Sequence, residues 1–90
     1  MQQANVALSQ CLWRNAIAFS EERESAEIVG KAVSDACSDE RDQAHVAQHM
    51  VMAPNSQITS ADIRDFQSDM DREAMTDVVR ARAGRCNLAS

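Results

Sequence analysis

Aromatic residues, glycine and proline are all scarce in this sequence. The 90 residues include no tyrosine, one tryptophan, two phenylalanines, two glycines and one proline. Tight β-turns depend on glycine and proline, and strands favour aromatic and β-branched side chains, so this composition disfavours a β-sheet. Apolar residues make up 44% of the chain, and most of them are aliphatic. We therefore predict an all-α protein, a small bundle of three or four helices.

Long apolar runs and excess positive charge are also missing. Without a run of about 18 apolar residues, we expect no membrane-spanning helix. The formal net charge is −5, whereas nucleic acids and anionic membranes attract a positive surface. We therefore expect no nucleic-acid partner, while a protein partner stays open. Residues 1–19 have no basic start and no small-residue cleavage pattern, so we expect no signal peptide there, unless one was removed before Met1.

The length of the chain predicts a single domain, residues 1–90. A domain of this size buries only about 60 to 65% of the surface that its unfolded chain exposes, so its hydrophobic core supplies modest stability. A covalent cross-link would add much to such a fold. Three cysteines are present: Cys11, Cys37 and Cys86.

The first predicted helix covers residues 4–19 and carries two apolar lines. The main line repeats at spacings of three and four, as expected for one helix face; it contains Leu8, Cys11, Leu12, Ala16 and Phe19. The second line is Val6, Trp13 and Ile17. Since tryptophan is enriched at the centres of interfaces, we predict this second line as a contact surface. Either later helices of the same chain cover it, or a second copy of the chain does.

The middle of the chain predicts two helices with a break between them. Ser25 is a good N-cap for a helix that begins at Ala26, and Gly30 lies within that helix. The polar run "SDERDQ", residues 38–43, offers nothing to a core, so we prefer a break at this point, with Ser38 capping a third helix that ends at Met52. One long helix with a solvated middle is the alternative.

The last helix has a well-marked beginning and a predicted end. Pro54 closes the preceding helix, and Thr59 with Asp62 forms a capping-box pattern. We expect an apolar stripe of Ile63, Phe66, Met70, Ala74, Val78 and Ala81. Gly84 is predicted to stop the helix, which leaves residues 83–90 as an exposed C-terminal tail.

The first two helices are expected to fold back on each other about "SEERES", residues 20–25. Residues whose numbers sum to about 48 then lie at the same height, which places Cys11 opposite Cys37 and Ala18 opposite Gly30. Two small residues would let the backbones approach and bring the cysteine α-carbons toward the roughly 5.5 Å of a disulfide. We therefore favour a Cys11–Cys37 disulfide. Two reduced core thiols are the alternative.

The segment "CLWRNAIAFSEERESAEIVGKAVSDAC", residues 11–37, resembles a cysteine-flanked helical hairpin of small exported proteins of Gram-negative bacteria. The shared pattern is a cysteine, an alanine-rich helix, a polar turn, a serine cap and a closing cysteine. The resemblance implies a cystine and a periplasmic or secreted location, and it implies no activity. A cytoplasmic location is the alternative.

Cys86 is left without a partner by this pairing. It is flanked by Arg85 and Asn87, and a neighbouring arginine favours the thiolate. We expect either a free thiol or a link between two chains.

His45 and His49 form the best metal-binding pattern in the sequence. They are four residues apart on a predicted helix, with Asp42 before them and Met52 after them on the same side. Two imidazoles, a carboxylate and a thioether at this spacing suit Zn²⁺ or copper. No fourth strong ligand is marked, so we favour a solvated helix face that binds no metal and no other cofactor.

These patterns predict a non-enzymatic helical interaction or accessory protein. No local motif supports a Cys–His catalytic pair. The protein partner would bind a helical surface, and a homodimer through the first helix is one form of this hypothesis. A periplasmic metal-binding protein is the first alternative. An acidic, phage-type inhibitor of a host enzyme or nucleoprotein is the second, suggested by the acidic row Asp62, Asp65, Asp69 and Glu73.

Overall fold

The computed structural model describes the backbone of residues 2–89 and the side chains of residues 3–84. Its elements are α1 (Gln2–Phe19), α2 (Ala26–Ala36), α3 (Ser38–Met52) and α4 (Ser60–Ala89). No strand occurs between residues 2 and 89. The prediction of a small all-α bundle is confirmed, with four helices.

The helices form three rods, because α2 and α3 follow one another along the same side of α1. Asn5 near the start of α1 accepts a hydrogen bond from Gln48 near the end of α3, at 3.3 Å. Arg82 in α4 contacts the loop that follows α1. Thus α1 and α4 run in the same direction, and α2 and α3 run in the opposite one.

Two helices begin where their capping residues predict. The Ser25 hydroxyl accepts from the Ile28 amide at 3.2 Å before α2. Before α4, the Asp62 amide donates to the Thr59 hydroxyl at 3.1 Å and the Thr59 amide donates to the Asp62 carboxylate at 3.0 Å. The hydrogen bond from the Thr59 amide is the main cause that lowers the pKa of Asp62. Both caps are confirmed.

The break between α2 and α3 is confirmed, but its residues differ from the prediction. Cys37 is the boundary residue, and Ser38 is already the first residue of α3. The polar run also contributes to the interior, because Arg41 is only 7% exposed. Its guanidinium donates to the Ser34 hydroxyl at 2.9 Å and lies 3.5 Å from the Asp35 carboxylate. A cation is favourable here, since α2 ends with unpaired carbonyl groups.

The core consists of small and medium aliphatic side chains around the disulfide. Its buried members are Leu8, Cys11, Leu12, Ala16, Val29, Val33, Cys37, Ala44, Ala74 and Val78. The predicted α4 stripe is buried at Ala74, Val78 and Ala81, while Ile63 near its start is exposed. The small residues allow the rods to approach closely.

Gly30 contacts a different helix from the one predicted. A Cβ atom added at Gly30 would lie 2.7 Å from both the Cα and the amide nitrogen of Met75 in α4. Ala18, its predicted partner in α1, is exposed. The glycine is therefore required for the close approach of α2 to α4, and the predicted pair with Ala18 is wrong.

Gly84 does not end α4, which continues to Ala89. No glycine in the described residues has a positive φ angle, so Gly84 does not adopt the left-handed conformation of a helix-terminating glycine. The predicted helix end is wrong for this reason. The side chain of Cys86 lies outside the described residues.

Arg82 of α4 contacts the backbone of the loop between α1 and α2. Arg82 of α4 donates to the carbonyl oxygens of Ser20 at 3.4 Å, Glu22 at 2.6 Å and Glu24 at 2.7 Å. We expect Arg82→Ala to lower the free energy of unfolding by about 1 to 2 kcal/mol, because charged hydrogen bonds to the loop are lost. Urea denaturation measures this.

Arg64→Ala is the matched control, since Arg64 is an exposed arginine of the same helix. It should change stability by no more than about 0.5 kcal/mol. Equal effects of the two substitutions would show that the Arg82 contacts do not stabilise the loop.

Candidate functional site

The second apolar line of α1 stays exposed on the surface of the bundle. Val6 is 52% exposed, Trp13 40% and Ile17 42%. The described parts of α3 and α4 therefore do not fully cover this line, which was one of the two predicted arrangements. A half-exposed tryptophan flanked by two aliphatic side chains is a common feature of interaction surfaces.

Trp13 forms one wall of a groove between α1 and α4, which we call the Trp13 groove. The groove has a volume of about 320 Å³. Its lining residues are Ser9, Leu12, Trp13, Glu73, Asp77 and Arg80. It therefore combines an apolar wall from α1 with a charged wall from α4.

Asp77 is a partly buried carboxyl group of this groove. Burial raises its pKa, and the positive charge of Arg80 only partly opposes this effect. Among residues 3–84, no side chain forms an ion pair with Asp77 within 4.0 Å; the ion pairs found there are Arg41–Asp35 and Arg72–Asp69. The carboxylate is thus partly desolvated without a direct cationic partner.

The raised pKa of Asp77 gives a pH-dependent prediction. The folded state holds this proton more tightly than the unfolded state, so stability falls as the pH rises from the unfolded pKa through the folded pKa. We expect Asp77→Asn to be more stable than the parent at neutral pH. The difference should vanish at about pH 3, where the parent carboxyl is protonated. Urea denaturation at both pH values measures this. A variant that is less stable at neutral pH would contradict the assignment.

The acidic row predicted on the last helix extends from the Trp13 groove toward the start of α4. Asp62, Asp65 and Asp69 line one neighbouring groove, and Asp69 and Glu73 line the next. Asp69 lies 3.6 Å from Arg72, which neutralises the charge of this carboxylate locally. Asp62, Asp65 and Glu73 have no ion pair within 4.0 Å among residues 3–84, so this face of α4 keeps negative charge near the apolar line of α1.

The predicted metal ligands Asp42, His45 and His49 do not converge. The His45 ring stacks on Phe66 of α4 with centroids 4.6 Å apart. The His49 Nε2 lies 2.6 Å from the carbonyl oxygen of Ser56, so this nitrogen donates a hydrogen bond. Among the described side chains, the ligand atoms of these three residues do not all lie within 4.8 Å of one another.

The Cys11–Cys37 disulfide is confirmed, with the two α-carbons 6.0 Å apart. The side-chain amide of Asn15 spans it, and its nitrogen lies 3.4 Å from the Cys11 sulfur and 3.5 Å from the Cys37 sulfur. The Glu40 carboxylate lies within 4.8 Å of both sulfurs. Neither Asn15 nor Glu40 stands out in the sequence, although each is one helical turn from a cysteine.

The fold and the groove define a class: a small, disulfide-linked helical bundle with a groove between an apolar wall and a charged wall. Comparison of the chain with protein-family models, curated proteins and solved structures gave no match. Within residues 2–89, no helix combines the length and hydropathy needed to cross a bilayer.

Proposed function

We propose that this protein is a non-enzymatic binding module whose Trp13 groove binds a cationic, amphipathic segment of a partner protein. The observation that carries the proposal is the exposed Trp13 beside Glu73 and Asp77. The apolar side of the partner segment contacts Trp13 and Ile17. Its basic side contacts the carboxylates of α4.

The desolvated Asp77 supports a cationic occupant. A lysine or arginine of the partner that enters the groove supplies the charge that Asp77 lacks, and a partly buried charge pair contributes more than an exposed one. The acidic row on α4 extends the same complementarity along the helix and accelerates encounter with a basic partner. An acidic inhibitor of a basic host surface is one biological form of this function.

The experiment uses Trp13 as the reporter, because it is the single tryptophan of the chain. A tryptophan-free peptide with leucine and lysine at helical spacing is titrated into the protein, alongside a peptide with glutamate in place of lysine. We expect a saturable blue shift of the emission with the lysine peptide alone, and weaker binding at higher salt. No saturable change, or equal changes with both peptides, would contradict the proposal.

Variants locate the binding to the groove. Asp77→Asn should weaken binding of the lysine peptide about tenfold, although it stabilises the free protein. Asp39→Asn removes the same charge from an exposed position on α3 and should leave the affinity unchanged. If both substitutions weaken binding equally, only the net charge matters and the groove is not the site. Sedimentation without peptide tests the homodimer form, in which a second copy covers Trp13.

The metal-binding alternative rests on the groove that His45 and His49 line together with Asp62 and Asp65, although no three of their ligand atoms all lie within 4.8 Å of one another. Calorimetric titration of the oxidised protein with Zn²⁺ and Cu²⁺ tests it. Binding that is lost in His45→Ala would favour this function over a peptide-binding module. The absence of a heat of binding with either ion would contradict the metal-binding alternative.

We also propose a periplasmic or secreted location. The buried disulfide supports this, since such bonds persist in oxidising compartments. Detection of the native protein only in the cytoplasmic fraction of its cells would contradict it.

A further inference from the structure

We propose that the reduced protein binds one Zn²⁺ through Cys11, Cys37 and Glu40, so that the disulfide and a metal site are two states of the same residues. This proposal is independent of the Trp13 groove. Among the described side chains, these three form the only group of His, Cys, Asp or Glu ligand atoms that lie within 4.8 Å of one another. Two thiolates and a carboxylate are ordinary ligands of Zn²⁺.

The Asn15 amide lies beside the two sulfurs and could donate to them as thiolates. Its nitrogen donates to the Cys11 carbonyl oxygen at 2.9 Å and lies 3.4 Å from the Cys11 sulfur and 3.5 Å from the Cys37 sulfur. Neutral sulfur accepts hydrogen bonds weakly, whereas a hydrogen bond to a charged acceptor is roughly twice as strong as a neutral one. An amide that donates to metal-bound thiolates would also orient them, as outer groups of metal sites generally do.

Glu40 lies in the first turn of α3, where the free backbone amides favour a carboxylate. Within residues 3–84, its carboxylate forms no ion pair within 4.0 Å. Beside a neutral disulfide a carboxylate gains nothing, and beside two thiolates it would be repelled. A divalent cation between the three groups reconciles these charges.

The backbone holds the three ligands near one another, because their ligand atoms all lie within 4.8 Å of one another. A tetrahedral zinc site with bonds of roughly 2.0 to 2.3 Å places its ligand atoms about 3.3 to 3.8 Å apart, so the two sulfurs must move apart after reduction. Cys37 directly precedes α3, so the free amides of the first turn favour its thiolate. Glu40 is only partly buried, which leaves the fourth position for water.

A dithiol reductant can convert the disulfide form of the site to the zinc-binding form. The reductant donates two electrons and two protons, which convert the sulfur–sulfur bond to two thiols, and the reductant becomes a disulfide. Zn²⁺ then displaces both thiol protons and forms two Zn–S bonds and one bond to a Glu40 oxygen. A disulfide oxidant reverses the sequence, reforms the Cys11–Cys37 bond and releases Zn²⁺ to solution.

The test uses the full chain with Cys86→Ser, so that two cysteines remain. The protein is reduced with a phosphine, which is then removed, and titrated without oxygen with Zn²⁺ and with Co²⁺. We expect one ion per chain in the reduced protein, a sulfur-to-cobalt charge-transfer band with Co²⁺, and no binding at this site after oxidation. Glu40→Gln should weaken zinc binding at least about tenfold, while the exposed Asp39→Asn leaves it unchanged.

If reduction unfolds the chain, circular dichroism measures whether Zn²⁺ restores its helix content. Recovery of helix on addition of Zn²⁺, and its loss in Glu40→Gln, would support the site. The proposal is overturned if the reduced protein, folded or unfolded, binds no zinc, or if Glu40→Gln binds it as tightly as the parent. Zinc bound equally by the oxidised protein would assign the metal to the histidine groove instead.

Discussion

Reduction of the Cys11–Cys37 disulfide is expected to lower the free energy of unfolding by about 3.5 kcal/mol in the absence of metal. The cross-link closes a loop with a sequence separation of 26, and the chain-entropy relation gives about this value for such a loop. For a domain of this size the loss corresponds to a fall of roughly 15 °C or more in Tm. Thermal unfolding of oxidised and reduced protein, both with a chelator present, measures it.

The comparison is made in a Cys86→Ser background, so that one redox event is observed. The reduced parent retains both buried sulfur atoms and isolates the effect of the covalent bond. The double variant Cys11→Ala/Cys37→Ala should be destabilised further, because it also removes buried side-chain atoms. A reduced protein as stable as the oxidised one would contradict the role given to the cross-link.

Gly30→Ala is expected to destabilise the protein by about 2 kcal/mol, even though alanine favours helices by about 1 kcal/mol. The added Cβ would lie 2.7 Å from two backbone atoms of Met75. Backbone atoms cannot turn aside as a flexible side chain does, so α2 and α4 must separate. Urea denaturation gives the change in unfolding free energy.

Gly84→Ala is the matched control in a second helical glycine. A Cβ added there meets no atom within 4 Å, so we expect the helix preference of alanine to stabilise the protein by about 1 kcal/mol. The two substitutions should therefore have opposite signs. A Gly30→Ala protein more stable than the parent would contradict the close approach of α2 to α4.

The sequence predicted the helices and the disulfide because both follow from local patterns. Ser25 and Thr59 mark helix starts through hydrogen bonds to residues within one turn. Cys11 and Cys37 are paired by the register of two helices joined by a short loop, and this register depends on nothing farther along the chain.

The errors arose where distant parts of the chain meet. The register of α4 against α2 is set by the whole bundle, so the contact of Gly30 with Met75 was not visible in the first two helices. Arg41 was assigned to a solvated run because charge normally avoids a core, yet the free carbonyls at the end of α2 hold it. Gly84 was predicted to end α4, but a glycine acts as this kind of helix end when it adopts the left-handed conformation. Gly84 does not adopt this conformation, and α4 continues beyond it.

The candidate site was predicted in part. The line of Val6, Trp13 and Ile17 follows from helical spacing, but its exposure depends on which faces α3 and α4 cover. Asp77 does not stand out in the sequence, since its burial beside Arg80 is a tertiary effect. Asn15 and Glu40 carry no signal until both cysteines are placed.

The most direct test of the account is to locate the free thiols of the native protein. The protein is alkylated without reductant, digested and mapped by mass spectrometry, and a second sample is alkylated after reduction and unfolding. We predict that Cys11 and Cys37 carry no label in the first sample and are recovered as one cross-linked peptide pair, while both are fully labelled in the second. Alkylation of either residue in the unreduced native protein would contradict the cross-linked bundle on which the fold, its stability and the proposed switch depend.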